Sequence, residues 1–216
     1  MTRTYLFLAA CAALLFASCT KGPMAGPDPD PTVTPPGTNP GPSGNKLTGT
    51  WKFAGVELKG QSVTSATDME GNTLKGVTNT DYISIENKGT VTFDERMMIS
   101  KEISYTIDTK VNSATYINGE LVASQDAPWR MTMPPSESKA AYELKANDSL
   151  YSQGATASFP GMEGSMTGQP IASKLSWKGD TLVLKSRISF SKTSSVEGFP
   201  SVINYNHDVI TKLVRK

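Results

Sequence analysis

From Lys46 to the C-terminus apolar side chains recur at every second residue, and no long amphipathic helical stripe interrupts them. Successive side chains of a strand point to opposite faces, so this period calls for strands that each bury one face. Gly, Asn, Asp and Ser punctuate the runs and supply the turns. Ile83 and Ile85 form one expected face and Val91 and Phe93 the next, with Asn87-Lys88-Gly89 read as a tight hairpin turn between them. Ile103, Tyr105 and Ile107 make a further face, and Tyr142 and Leu144 alternate with charged neighbours. Leu175 and Trp177 lead into the turn Lys178-Gly179-Asp180, after which Leu182, Leu184, Ile188 and Phe190 align as the return strand. In the last run, Val202 to Arg215, Ile203, Tyr205, Val209 and Leu213 share a face, and the run is long enough to need a bulge that bends it.

About eight to ten strands in sequence, joined by short turns, make an all-β antiparallel meander. A two-sheet sandwich leaves edges to protect, whereas closure into an up-and-down β-barrel removes them, so the barrel is the expected architecture. Two stretches break the alternation and are expected as loops at a barrel mouth: Ala127 to Pro135, with Trp129, Met131 and Met133, and Phe159 to Met166, with Met162 and Met166. These four methionines and Trp129 are the candidate ligand contacts, because Met adapts to apolar partners of varied shape.

Ahead of the barrel the chain changes character twice. Residues 1–18 carry Arg3, then the apolar run Tyr5 to Phe16, then Ala17-Ser18, the pattern of an export signal and too short to span a bilayer as a helix. Phe16-Ala17-Ser18-Cys19 resembles the bacterial lipobox, which implies acylation of Cys19 and a membrane anchor through its lipid; two or more acyl chains give durable attachment. Residues 19–45 hold eight of the fourteen prolines between Gly22 and Asn45. Proline removes backbone donors and favours extended polyproline II, so this segment is expected as a flexible spacer. Residues 46–216 remain as one domain, about 170 residues and enough for a substantial core.

Lys and Arg number 21 against 20 Asp and Glu, and loss of Arg3 with the signal leaves twenty of each. A neutral chain without a basic stripe lacks the counterion-release contribution that drives nucleic-acid binding. Both cysteines, Cys11 and Cys19, precede the domain, so its stability is expected from packing alone.

The domain opens with Lys46-Leu47-Thr48-Gly49-Thr50-Trp51-Lys52-Phe53 and ends with Lys212-Leu213-Val214-Arg215. A Gly-x-Trp in the first strand and a basic residue in the last resemble the lipocalin-like (calycin) proteins, especially the lipocalin-like lipoproteins of Bacteroidetes. The resemblance implies that Trp51 plugs the closed end of the barrel and that Arg215 packs over it, a cation above an indole face. It covers the ends of the domain and not its middle. It also implies an outer-membrane lipoprotein, and the absence of an acidic cluster after Cys19 points to the periplasmic side rather than the cell surface. Asp148-Ser149-Leu150 and Asp180-Thr181-Leu182 resemble the O-glycosylation signal of exported Bacteroidetes proteins but read better as turn residues entering strands.

The single histidine, His207, shares a strand face with Tyr205 and Val209. Without a second His or any Cys in the domain it builds no zinc site, and no Gly-x-Ser-x-Gly elbow supplies it with a nucleophile, so it is read as an ordinary strand residue. Phosphate-cradling glycine motifs are missing and the carboxylates are scattered, so neither a cofactor nor an enzymatic role is expected. Two functions remain. One is sequestration of a small apolar or amphipathic ligand inside the barrel, with Met131, Met133, Met162 and Met166 at its rim. The other is a structural or interaction module of the envelope, with a filled barrel whose loops engage a protein or glycan.

Overall fold

The computed structural model describes residues 47–145, 148–153, 159–162, 170–196 and 199–216. The signal, Cys19, the proline-rich segment and Met166 lie outside them. Nine strands follow in order: β1 (Gly49–Thr67), β2 (Thr73–Ile83), β3 (Ile85–Phe93), β4 (Met97–Ile117), β5 (Glu120–Lys145), β6 (Ser149–Gln153), β7 (Ile171–Lys178), β8 (Thr181–Val196) and β9 (Phe199–Arg215). Each pairs antiparallel with its neighbours in one sheet, and β1 pairs with β9 from Trp51↔Arg215 to Ala66↔Ser201, so the sheet closes into a ring. This is an up-and-down β-barrel, with its edges joined rather than left open.

β2 and β3 run in the same direction, both between β1 and β4. They are two halves of one stave, so the nine strands make eight staves. The hairpin expected at Asn87-Lys88-Gly89 is therefore absent, and these residues lie inside β3. The reason is a bulge in β1, where the register shifts between Phe53 and Gly55 and leaves backbone groups without ladder partners. Asn87 fills that place: its amide nitrogen donates to the Ala54 and Ser84 carbonyls, while its oxygen accepts from Ser84 Oγ at 2.6 Å. Ser84 Oγ in turn accepts from the Val56 N–H at 2.8 Å. Gly89, at φ 107°, is needed for close approach rather than for a turn, since a Cβ there would stand 2.6 Å from the Glu102 carbonyl oxygen.

The same bulge sets the phase of the first staves. Trp51 and Phe53 point inward, then Val56 and Leu58 do. On β2 the inward residues are Thr80 and Tyr82, followed by Ser84, while Ile83 is 65 % exposed and Ile85 also faces outward. The apolar face assigned to Ile83 and Ile85 is thus the outer one. Elsewhere the alternation holds: Tyr105 and Ile107 on β4, Leu182, Leu184 and Ile188 on β8, and Ile203, Tyr205, Val209 and Leu213 on β9 are all buried. The reversal between β4 and β5 falls at Asn118-Gly119, with φ 51° and 86°, the two left-handed residues of a type I′ turn.

Ala127 to Pro135, expected as a loop, belongs to β5 and pairs with β4. Strands β6 and β7 are short, so among the described residues the ring is complete only toward the end that carries Gly49 and Arg215. Among the described residues, Glu120 to Ala140 of β5 pair with β4 alone, and Arg187 to Val196 of β8 pair with β9 alone. Among the described residues the barrel thus has a closed half and a half in which no strand joins β5 to β8.

Candidate functional site

The closed half is packed by its own side chains. Trp51, Phe53, Phe93, Leu150, Leu182 and Leu213 are buried there in one core. Phe53 lies 5.9 Å from Tyr105, and Phe93 meets Tyr142 edge-on at 5.5 Å. Trp51 donates from Nε1 to the Leu47 carbonyl at 2.8 Å, and the Arg215 guanidinium carbon stands 5.2 Å from its ring centre. Trp51, Trp177, Gly179, Asp180 and Arg215 line a shallow cleft of about 210 Å³ at this end. Trp177, 39 % exposed, tilts against Trp51 at 5.6 Å. The cleft opens outward and does not reach the interior apolar wall. Asp148 and Asp180 sit in turns, each directly before a strand.

In the interrupted half the inner wall has a different character. Trp129, Met131 and Met133 alternate along β5 on its inward side, opposite Thr109, Ile107 and Tyr105 of β4, and all three are half-buried. Trp129 reaches across to Tyr82 of β2, with ring centres 6.1 Å apart and nearly perpendicular. The structure thus brings three of the five candidate contacts onto one face, as strand residues rather than loop residues. Met162 is placed differently. The turn 159–162 enters the barrel: Gly161 sits against Thr80, its carbonyl accepts from Ser62 Oγ at 3.3 Å, and Met162 is buried in the core instead of exposed at a rim.

Across from that stripe lies a row of polar side chains that the apolar pattern of the sequence does not single out. Gly60 of β1 is the register partner of Thr80 on β2 and of His207 on β9, so the three form one cross-strand row on the inner face. Tyr82 is the next inward residue of β2, and Tyr205 the next of β9, stacked on Phe190 at 4.6 Å. Thr80, His207 and Tyr82 are each at most 3 % exposed. Among the described residues Thr80 Oγ1 and both ring nitrogens of His207 have no hydrogen-bond partner, and neither has Ser201 Oγ higher on β9, while the Tyr82 hydroxyl has only that of Tyr105 beside it. Gly60 makes the arrangement feasible, because His207 Cδ2 lies where a larger residue would carry its side chain.

Burial pushes the His207 imidazole below its ordinary value of 6.5, and nearby Asp208 only partly offsets this, so the ring is neutral at pH 7. Burial also raises the Tyr82 hydroxyl well beyond the ordinary tyrosine range and Tyr105 to about 12. The charged residues adjacent in sequence, Lys59, Asp81, Arg187 and Asp208, alternate outward into solvent. The inner wall is therefore apolar on one side, polar but uncharged on the other.

No group of three or more His, Cys, Asp or Glu suited to a metal ion occurs among the described residues. No family model, curated protein or solved structure matches the chain. Function must then be argued from the site itself. A period-two search for polar residues in phase with buried ones would have found Thr80, Tyr82 and His207. It requires the phase of β2, which the β1 bulge and the Ser84 and Asn87 hydrogen bonds across it set.

Proposed function

We propose that this chain is a lipid-anchored envelope protein, held through Cys19 on the periplasmic side of the outer membrane, whose barrel sequesters a small apolar or amphipathic molecule. The observation that carries this reading is the half-buried inward stripe of Trp129, Met131 and Met133, on a stretch of β5 that among the described residues pairs with β4 alone. Apolar side chains on an inner wall gain stability when something covers them, by about 25 cal/mol per Å² of apolar surface removed from water. The export signal, the lipobox-like Phe16 to Cys19 and the resemblance of the domain's ends to lipocalin-like lipoproteins support the same reading.

Native mass spectrometry of the mature chain, taken from its own envelope before and after organic extraction, tests it. A reproducible bound mass that extraction removes, and that a Trp129→Ala variant lacks, is the expected result. Bare wild-type protein in both samples refutes sequestration. In parallel, Cys19→Ala should release the chain from the membrane fraction; continued membrane attachment refutes the anchor.

A second reading has its own observation. Met69, Leu121 and Val122 are exposed in or beside the β1–β2 and β4–β5 turns, at the end of the barrel opposite Gly49 and Arg215. Such exposed apolar residues suit an interaction module that engages a partner protein through its rim.

A further inference from the structure

Among the described residues four buried polar atoms, Thr80 Oγ1, both ring nitrogens of His207 and Ser201 Oγ, lack partners, and three of the four cluster in one place. Each such atom costs about 1–3 kcal/mol when left unsatisfied, and such groups call for a specific explanation. Thr80, Tyr82 and His207 face the barrel interior from β2 and β9, on either side of Gly60. Trp129, in contact with Tyr82, links them to the methionine stripe of β5.

We propose that Thr80 and His207, with Tyr82 beside them, select the ligand's head group, taking an uncharged group that both donates and accepts hydrogen bonds, a hydroxyl or an amide, on an otherwise apolar molecule. This rests on the sequestration reading and deepens it. The chemistry of the wall dictates the class. A neutral imidazole offers one donor and one acceptor, and a threonine or tyrosine hydroxyl offers both, so an alcohol or amide satisfies them reciprocally. A carboxylate or phosphate would be buried with no inward cation, since Lys59 and Arg187 face solvent, and an unpaired buried charge is far more costly than a hydrogen-bonded neutral group. A plain hydrocarbon would leave the polar atoms as they are. The gain on binding is thus confined to the neutral amphiphile, with the tail on Trp129, Met131 and Met133.

The test uses the mature full chain after organic extraction and three probes of matched length: octanol, octanoate and octane. Binding is followed by calorimetry and tryptophan fluorescence at neutral pH. Octanol should bind about tenfold or more tightly than either other probe, the factor that one or two buried hydrogen bonds supply. Thr80→Val, nearly the same shape, and His207→Phe should each bring octanol down toward octane while leaving octane unchanged. Two variants are used because His207→Phe alone could disturb packing over Gly60. Equal binding of octanol and octane, or an octanol preference that survives both substitutions, overturns the head-group site but leaves sequestration standing. Tightest binding of octanoate overturns the uncharged class. Failure of all three probes to bind overturns sequestration, and this inference with it.

Discussion

Replacing Gly60 with alanine puts a methyl group where β9 already stands. The added carbon would lie 2.2 Å from the Asn206 carbonyl oxygen, 2.6 Å from His207 Cα and 2.8 Å from His207 Cδ2. Two of these three atoms are backbone, fixed by a β1–β9 ladder that continues on both sides of the Gly60↔His207 pair. Since non-bonded carbon atoms settle at about 3.5–4.0 Å, the two strands must part by roughly 1 Å. Overpacking of that kind typically costs about 1–3 kcal/mol, and opening the seam that closes the ring argues for the upper end, about 3 kcal/mol. Gly76→Ala is the matched control, because its new carbon meets only Thr64 Cβ at 3.9 Å, an ordinary contact. There a reduced unfolded-state entropy should leave stability unchanged or raised by about 0.5 kcal/mol. In urea, with a slope of about 2 kcal/mol/M, Gly60→Ala should lower the unfolding midpoint by about 1.5 M and Gly76→Ala should shift it by less than about 0.3 M. Equal midpoints for the two variants would refute the close approach of β1 and β9 at this row.

Further outcomes follow from the buried titratable groups and the closed end. His207 is the only histidine, and its folded value lies below 6.5, so below that pH the unfolded chain takes up a proton that the folded one refuses. Stability is then full above 6.5 and falls as pH drops through the window toward the folded value, by up to about 1.4 kcal/mol per unit; His207→Phe should flatten urea midpoints just below pH 6.5, and an unchanged slope counts against it. Of the seven tyrosines, Tyr82 should ionise only as the barrel unfolds in alkali and Tyr105 near 12; ultraviolet difference titration of Tyr82→Phe that still shows the same late-ionising fraction refutes this. Arg215→Ala should cost about 1 kcal/mol by removing the cation from the Trp51 ring, with Arg215→Lys costing less; identical midpoints for wild type and Arg215→Ala would discount that contact.

The all-β architecture and the inward faces of β4, β8 and β9 are legible from alternation alone, because their apolar residues and their buried side agree. Asn118-Gly119 is also legible, since both positions adopt the left-handed backbone that this dipeptide favours. Asn87-Lys88-Gly89 has similar turn chemistry but a different use: its amide serves the β1 bulge and its glycine admits the β4 backbone. Local composition does not report such a long-range demand. Ile83 and Ile85 fail for the same reason, since the Ser84 bonds to Val56 and Asn87 fix the phase against the more apolar face. Pro128, Pro134 and Pro135 suggest a loop, yet the stretch pairs with β4, and Pro134-Pro135 fall at the register shift opposite Ile103 to Tyr105, where a bulge accommodates missing donors. Of the candidate contacts, Trp129, Met131 and Met133 share a face because strand periodicity holds through those prolines. Thr80 and Tyr82 stay hidden because their burial is imposed by neighbours rather than by their own hydropathy.

The pairing of the first strand with the last has a consequence for how the barrel is made. Partners such as Gly60 and His207 are separated by nearly the whole domain, and contacts of such long sequence separation form slowly. Until Phe199 to Arg215 arrive, β1 and β8 each present a bare edge, the kind of surface on which chains add to one another. A chain cut short before β9 should therefore aggregate rather than persist as a smaller barrel, and the seventeen residues of β9 act as the clasp that turns a sticky ribbon into a ring.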